Sequence, residues 1–185
     1  MKKLNFGSNR KKQDGYINVD ALPDVGADLV WNLVRIPYPK ELEGADEINA
    51  IEFLEHISFR EVLPMLKEWR RILKFGGKIF IQVPDCGKMM EYYVDKKICE
   101  CVPHKPLNVE DAKADPNCWK CNGNAMVNPK RWLFAFTGAQ KHEYDIHRNI
   151  FTKESLKTLL ETAGFINIKI GGDKYGWKLV ATANK

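Results

Sequence analysis

The stretch that decides the fold reads Lys3-Leu4-Asn5-Phe6-Gly7-Ser8-Asn9, and Gly15-Tyr16-Ile17-Asn18-Val19-Asp20 follows a few residues later. It predicts a short buried strand, a tight turn, and a second strand that ends in a carboxylate. In an open α/β sheet, a ligand binds beyond the carboxyl ends of such strands. A turn of small residues lets the ligand approach the backbone, and an acidic residue after the next strand can bind a ribose diol. Asp20 is the candidate for this acidic residue. The glycine pattern is incomplete, because Asn9 stands where a G-x-G pattern has its second glycine.

The composition is that of an ordinary globular protein. The chain has 185 residues, of which 44% are hydrophobic and 29% charged, so one domain with a substantial core is expected. The net charge of +5 is compatible with an anionic substrate, and a solvated surface with a small excess of lysine explains it better than nucleic-acid binding does. No apolar run reaches the roughly 18 residues of a membrane span. The charged start predicts no signal peptide, and five cysteines then favour a reducing, cytoplasmic location.

Periodicity predicts strands that alternate with helices. Only about ten residues separate the first two strands, fewer than a parallel crossover commonly uses. A reduced crossover is favoured, and the alternative is that these strands are not neighbours. The predicted strands are 3–6, 16–20, 27–31, 45–50, 78–84, 165–170 and 177–182, and the predicted helices run from Ser58 to Phe75-Gly76-Gly77 and from Thr152 to Ala163-Gly164.

Residues 86–148 differ from the rest of the chain. Proline, asparagine, lysine and cysteine are frequent there, and periodicity is lost apart from a short helical pattern near Lys88–Val94. We interpret this stretch as an irregular excursion built onto the sheet of a single domain, 1–185, rather than as a second domain.

Seven segments in a fixed order carry a resemblance to a known family. They are Leu4–Asn9, Gly15–Asp20, Asp28–Leu33, Glu47–Ile57, Glu68–Gly77, His147–Thr152 and Leu159–Phe165. The sequence resembles a class I S-adenosylmethionine-dependent methyltransferase, and more narrowly the small predicted methyltransferases of bacterial and phage genomes. The resemblance implies an α/β, Rossmann-like sandwich with a mostly parallel sheet, a C-terminal antiparallel hairpin and a shortened first crossover.

The resemblance also implies S-adenosylmethionine as the cofactor. Gly7 would let the backbone approach the amino-acid portion, Asp20 would bind the ribose, and Asn32 would lie beside the adenine. The residues expected to bind the cofactor are Asn5, Phe6, Gly7, Ser8, Asn9, Asp20, Asn32, Leu33, Ala50 and Ile51. A purely structural role is the alternative for Gly7 as a turn glycine, for Asp20 as a strand-end carboxylate, for Asn32 as a loop residue and for Ile51 as a packed side chain.

Methyl transfer needs an oriented nucleophile more than a conserved catalytic group, because the cofactor carries its own leaving group. His56, Asp85 and His147 are the candidates for a general base. A histidine with an ordinary pKa near 6.5 suits that role, although hydrogen bonding that merely holds a loop is at least as common.

The cysteines suggest a metal site. Cys99 and Cys101 precede Cys118 and Cys121, and four thiolates at such spacing can bind zinc, with His104 as a substitute ligand. Free thiols are the alternative.

The predicted function is therefore methyl transfer to a small-molecule or glycan-like acceptor, which the excursion would cover. One alternative is a methyltransferase-like module that binds or assembles without catalysis, prompted by Asn9 and the short crossover. The other is a zinc-stabilised nucleic-acid contact in the excursion, for which the net charge of +5 is the motive, although nucleic acid is not the expected partner.

Overall fold

The computed structural model describes residues 1–95, 116–118, 136–141, 143–174 and 176–185. The chain divides into two compact units, one made of residues 1–85 with 147–185 and the other of residues 86–146. The second unit contains a helix, a 3-10 turn at Glu143–Asp145 and an isolated antiparallel bridge between Gly138 and Ile146. Whether the excursion and the sheet form one domain, as the sequence predicts, stays a prediction.

The first unit is built on a seven-stranded sheet with the order β3-β2-β1-β4-β5-β7-β6. Strands β1 to β5 pair in parallel, whereas β7 is antiparallel to both β5 and β6. The α/β fold with a mostly parallel sheet and a C-terminal antiparallel hairpin is thereby confirmed. The strands are β1 Lys3–Phe6, β2 Ile17–Asp20, β3 Leu29–Val30, β4 Ala45–Ile51, β5 Leu73–Pro84, β6 Ile166–Gly172 and β7 Lys178–Asn184, and the helices are α1 Phe59–Ile72, α2 Cys86–Asp95 and α3 Lys153–Thr162.

Helix α1 ends earlier than the sequence predicts. It stops at Ile72, and Leu73 is already extended and paired with Ala45 of β4. The next pair joins Glu47 to Lys78, so the register shifts and the residues between Leu73 and Lys78 form a bulge in β5. Gly76, with φ of 76°, supplies the left-handed residue that the bulge requires, so it does not cap the helix.

The two helices of the first unit begin differently. Thr152 accepts a hydrogen bond from the backbone N–H of Ser155, and the Ser155 side chain in turn accepts from the backbone N–H of Thr152, which forms a capping box. Ser58 and Glu61 have the spacing of a capping box, but the Ser58 side chain accepts only a long, 3.4 Å bond from the backbone N–H of Arg60, and the box is not formed. Among the helices that the structure describes, none is long and apolar enough to cross a membrane.

The core lies between one face of the sheet and these two helices. The ring of Phe6 in β1 lies 5.4 Å from the ring of Trp69 in α1, centroid to centroid. Trp69 donates its indole N–H to the Tyr38 hydroxyl at 3.0 Å, so even this buried polar group is satisfied. Leu156 and Leu160 of α3 belong to the same core, and Arg70 of α1 donates to the carbonyl of Gly164 after α3.

The opposite face of the sheet carries a row of asparagines. Asn18, Asn5 and Asn49 occupy matching positions on β2, β1 and β4. Asn5 donates to the Asn18 side chain at 2.8 Å, and Asn49 donates to Gln13 in the connection between β1 and β2. Gln13 also donates its backbone N–H to Asn18 at 2.8 Å. This connection therefore reaches β2 through polar contacts and without a helix, which confirms the shortened crossover.

Candidate functional site

The loop after β1 turns sharply through two left-handed residues. Gly7 has φ of 65° and Asn9 has φ of 44°. The backbone N–H groups of Gly7 and Ser8 both donate to the carbonyl of Val19, at 3.0 and 3.3 Å. Asparagine is one of the few residues other than glycine that adopt this conformation, so Asn9 can form the turn at a position where a G-x-G pattern has glycine.

Asp20 ties this loop to the end of β2. Its Oδ2 accepts a hydrogen bond from the backbone N–H of Asn9 at 2.7 Å, and its Oδ1 accepts from that of Leu22 at 3.0 Å. The residue is 9% exposed. An ionised carboxylate has about four lone-pair positions, so each oxygen can still accept from a ligand hydroxyl. Asp20 thus positions the turn and keeps acceptor capacity at the same time.

A third loop packs on the same turn. A Cβ placed on Gly7 would lie 2.2 Å from Cδ2 of Phe53, which follows β4, so only glycine fits under this ring. The Phe53 ring also stacks on Trp69 at 6.4 Å between centroids. The contact brings the carboxyl ends of β1 and β4 together, next to the end of β2.

The residues expected to bind the cofactor fall into two groups. Gly7, Ser8, Asn9 and Asp20 lie together, and the Ser8 hydroxyl is buried without a hydrogen-bond partner within the described ranges. The side chains of three others are turned into the protein. Asn5 bonds Asn18, and Phe6 and Ala50 are fully buried in the core, so these three could reach a ligand only through the backbone.

The remaining predicted contacts lie at the ends of β3 and β4. Asn32 is exposed, and its side-chain oxygen accepts from the backbone N–H of Val34 at 3.2 Å. Leu33 is a core residue, 2% exposed, whose carbonyl accepts from the Tyr38 hydroxyl. Ile51 is half-buried and ends β4. Their contacts with a cofactor stay predictions.

Two of the three candidate bases are neighbours. The rings of His56 and His147 meet edge to face, with centroids 4.9 Å apart. The backbone N–H groups of Arg148 and Asn149 donate to the carbonyl of Glu55, at 2.7 and 3.1 Å, and this holds the two segments together. Asp85 directly follows β5, where its N–H donates to the carbonyl of Trp177.

Glu55 is the residue that sequence reasoning missed. It is 1% exposed, and its carboxylate oxygens have no hydrogen-bond partner in the described part of the chain. Burial, reinforced by the charge of Glu52, raises the pKa of Glu55 well above its usual value. Glu52 itself has φ of 54°, a strained conformation for a glutamate. The sequence feature that could have indicated a buried Glu55 is its place between Leu54 and His56, in the segment that follows the buried strand β4.

The proposed zinc ligands fall largely outside the described ranges. Cys99, Cys101 and Cys121 are not among the described residues, and neither is His104. Cys118 is described and is 8% exposed. A zinc site at these cysteines stays a prediction.

No protein-family model matches the sequence, and no curated protein matches it. Solved structures do. A methyltransferase dependent on S-adenosylmethionine from Mesorhizobium loti superposes with a TM-score of 0.59 at 10% identity, over 100% of this chain and 90% of that one. The chain has the fold of the class I S-adenosylmethionine-dependent methyltransferases. A second such methyltransferase, from Methanosarcina mazei, has a TM-score of 0.57 at 15% identity, over 100% of this chain and 92% of that one.

This methyltransferase fold also occurs in longer proteins. The structure of human N-acetylserotonin methyltransferase in complex with S-adenosylmethionine matches with a TM-score of 0.52 at 14% identity, over 99% of this chain and 47% of that one. The chain likewise spans 61% of a matching protein from Bordetella parapertussis and 52% of one from Nostoc punctiforme. At sequence identities of 10–15%, the similarity establishes the fold alone, and a function has to be argued from the residues of the candidate site.

Proposed function

We propose that the chain binds S-adenosylmethionine and transfers its methyl group to a small-molecule acceptor. The supporting observation is the pairing of a left-handed turn at Gly7 to Asn9 with the Asp20 carboxylate, at the adjoining ends of β1 and β2. Ligands of open α/β sheets bind at this edge. The matching folds include one structure determined with S-adenosylmethionine.

The residues present fit the cofactor. The buried Ser8 hydroxyl lacks a partner within the described ranges, and Asp20 has acceptor capacity left, so both can bond a polar ligand. Gly7 would approach the amino-acid portion, Asp20 would accept from the ribose hydroxyls, and Asn32 and Leu33 would border the adenine. When bound, the cofactor supplies an activated methyl group on a sulfonium, and the protein supplies orientation.

The acceptor must lose a proton when an O–H or N–H group is methylated. A base within hydrogen-bond reach of that group accelerates the transfer. Asp85 after β5 and His56 after β4 both follow strands of the same sheet edge, and His147 adjoins His56. We propose these three as candidate bases, and a glycan-like hydroxyl compound as one acceptor class.

The proposal is tested by calorimetric titration with S-adenosylhomocysteine, the demethylated product. Wild-type protein should bind one equivalent, and Asp20→Asn should bind about 10- to 100-fold more weakly, since a hydrogen bond to a charged group contributes about 1.5–3 kcal/mol. Asp24→Asn removes an exposed carboxylate in the 3-10 turn that follows β2, and it should bind like wild type.

Because Asp20 also holds the Asn9 turn, a loss of binding in Asp20→Asn must be separated from a change in the loop. Both proteins are therefore also titrated with 5′-methylthioadenosine and with its 2′-deoxy derivative. Removal of the 2′-hydroxyl from 5′-methylthioadenosine should weaken binding to wild type but not to Asp20→Asn. Absence of heat with the wild-type protein, or equal losses in both proteins, would exclude the proposed role of Asp20 in cofactor binding.

A further inference from the structure

Three side chains with metal-binding atoms converge after β4. A carboxylate oxygen of Glu55 and one ring nitrogen each of His56 and His147 all lie within 4.8 Å of one another. Ligands at about 2.0–2.2 Å from one ion are separated by roughly 3–4 Å, so a small side-chain adjustment would close this set around an ion. Both histidines are partly exposed, which gives an ion a path of entry.

The carboxylate of Glu55 lacks the compensation that buried charges need. It is 1% exposed and has no hydrogen-bond partner among the residues that the structure describes. The neighbouring Glu52 is differently placed, because Lys178 Nζ lies 3.3 Å from its Oε1. A buried carboxyl group is normally paired, hydrogen-bonded, protonated or bound to a metal, and the described contacts of Glu55 include neither an ion pair nor a hydrogen bond to its carboxylate oxygens.

The backbone fixes the arrangement before any ligand arrives. His56 donates its backbone N–H to the carbonyl of Phe53, which closes the 3-10 turn Leu54–His56. The carbonyl of Glu55 accepts from Arg148 and Asn149, and this places His147 beside the turn. Ligands from two distant parts of the sequence are therefore held by main-chain bonds, as a preformed metal site requires.

We propose that Glu55, His56 and His147 bind a divalent transition-metal ion. Two imidazoles and one carboxylate suit Mn²⁺, Fe²⁺, Co²⁺ and Zn²⁺ and leave further coordination positions for water or another oxygen ligand. A bound ion offsets the buried charge of Glu55. It also occupies the nitrogens of His56 and His147, so Asp85 then remains as the candidate base. The site does not depend on the proposed function, because the ion can be bound without the cofactor.

The test is a titration of the chelator-treated, full-length protein with Co²⁺, followed by visible absorption. Nitrogen and oxygen ligands give d–d bands without the sulfur-to-cobalt charge-transfer band that thiolates add. Wild type should saturate at one equivalent. Glu55→Gln and His147→Ala should each weaken binding at least about 100-fold, the upper cost of an outer-shell change. His142→Ala, which removes a histidine outside the set, should bind like wild type.

A second measurement uses the wild-type protein alone, in case a variant fails to fold. Substoichiometric Mn²⁺ should broaden the ring resonances of the ligands His56 and His147 in the histidine NMR spectrum at the lowest metal additions, before those of the other two histidines. Failure to bind Co²⁺, a spectrum with only charge-transfer intensity, or broadening confined to the other histidines would overturn the proposal.

Discussion

Two features require glycine at position 7: the left-handed turn of the candidate site and the close packing of the Phe53 ring. The substitution Gly7→Ala adds a Cβ at φ of 65°, and this atom would lie 2.2, 2.6 and 2.9 Å from three side-chain carbons of Phe53. Two costs follow. A side chain in the left-handed region costs about 1–2 kcal/mol, and an extra carbon in a well-packed contact costs about 1–3 kcal/mol.

Together these costs predict that Gly7→Ala lowers the free energy of unfolding by about 2–5 kcal/mol, a large part of the roughly 5–15 kcal/mol of a typical protein. Gly15→Ala is the matched control. Gly15 has φ of 78°, but apart from its own residue and its two chain neighbours no heavy atom lies within 4 Å of its added Cβ, so Gly15→Ala should lose only the conformational part. Urea unfolding measures both variants.

The packing part can be isolated with Phe53→Ala. The double variant should be less destabilised than the sum of the two single variants, because removal of the ring relieves the overlap. If Gly7→Ala and Gly15→Ala cost the same, or if the double variant is additive, Phe53 does not press on Gly7 and the assigned geometry of the loop is wrong.

Two further predictions concern α1 and α3. Hydrogen bonds from the Arg71 side chain, together with one from the Tyr38 backbone, hold the pKa of Glu68 below its usual value. Glu68 therefore stabilises the fold fully at a pH above its unfolded-state pKa, and this contribution is lost as the pH falls through its folded-state pKa. The free energy of unfolding should therefore fall less steeply from about pH 5 to pH 3 in Glu68→Gln than in wild type. Equal slopes would contradict this. Thr152→Ala removes a capping box and should lower the free energy of unfolding, measured in urea, by about 0.5–2 kcal/mol. Ser58→Ala should cost less, because the wild-type Ser58 side chain accepts only a 3.4 Å hydrogen bond. A larger loss in Ser58→Ala than in Thr152→Ala would refute the comparison.

The strands were predictable because their sequences are short apolar runs with clear stops. Strand β1 was predicted over 3–6 and found at Lys3–Phe6, and the turn and carboxylate after it were also read from local residues. The end of α1 was predicted wrongly, since two glycines after a helix usually cap it. Here Gly76 serves a bulge whose existence depends on the pairing of Leu73 with Ala45, a contact remote in sequence.

The features that were missed all depend on such remote contacts. Asn5 and Asn18 look like ordinary strand residues, and only the register of β1 and β2 places them side by side. Glu55 looks exposed in the sequence because glutamate usually is, but it is 1% exposed in the fold, where its backbone carbonyl accepts from the remote residues Arg148 and Asn149. Local pattern thus predicted the turn after β1 and the carboxylate that ends β2, but not the buried carboxylate beside the two histidines.

The central claim is that the ends of β1 and β2 bind S-adenosylmethionine. A crystal structure of the protein with S-adenosylhomocysteine tests it most directly. We expect the ribose hydroxyls within hydrogen-bond distance of the Asp20 carboxylate and the amino-acid portion against the backbone of Gly7. Ligand density elsewhere on the protein, or a ribose with no contact to Asp20, would contradict the account.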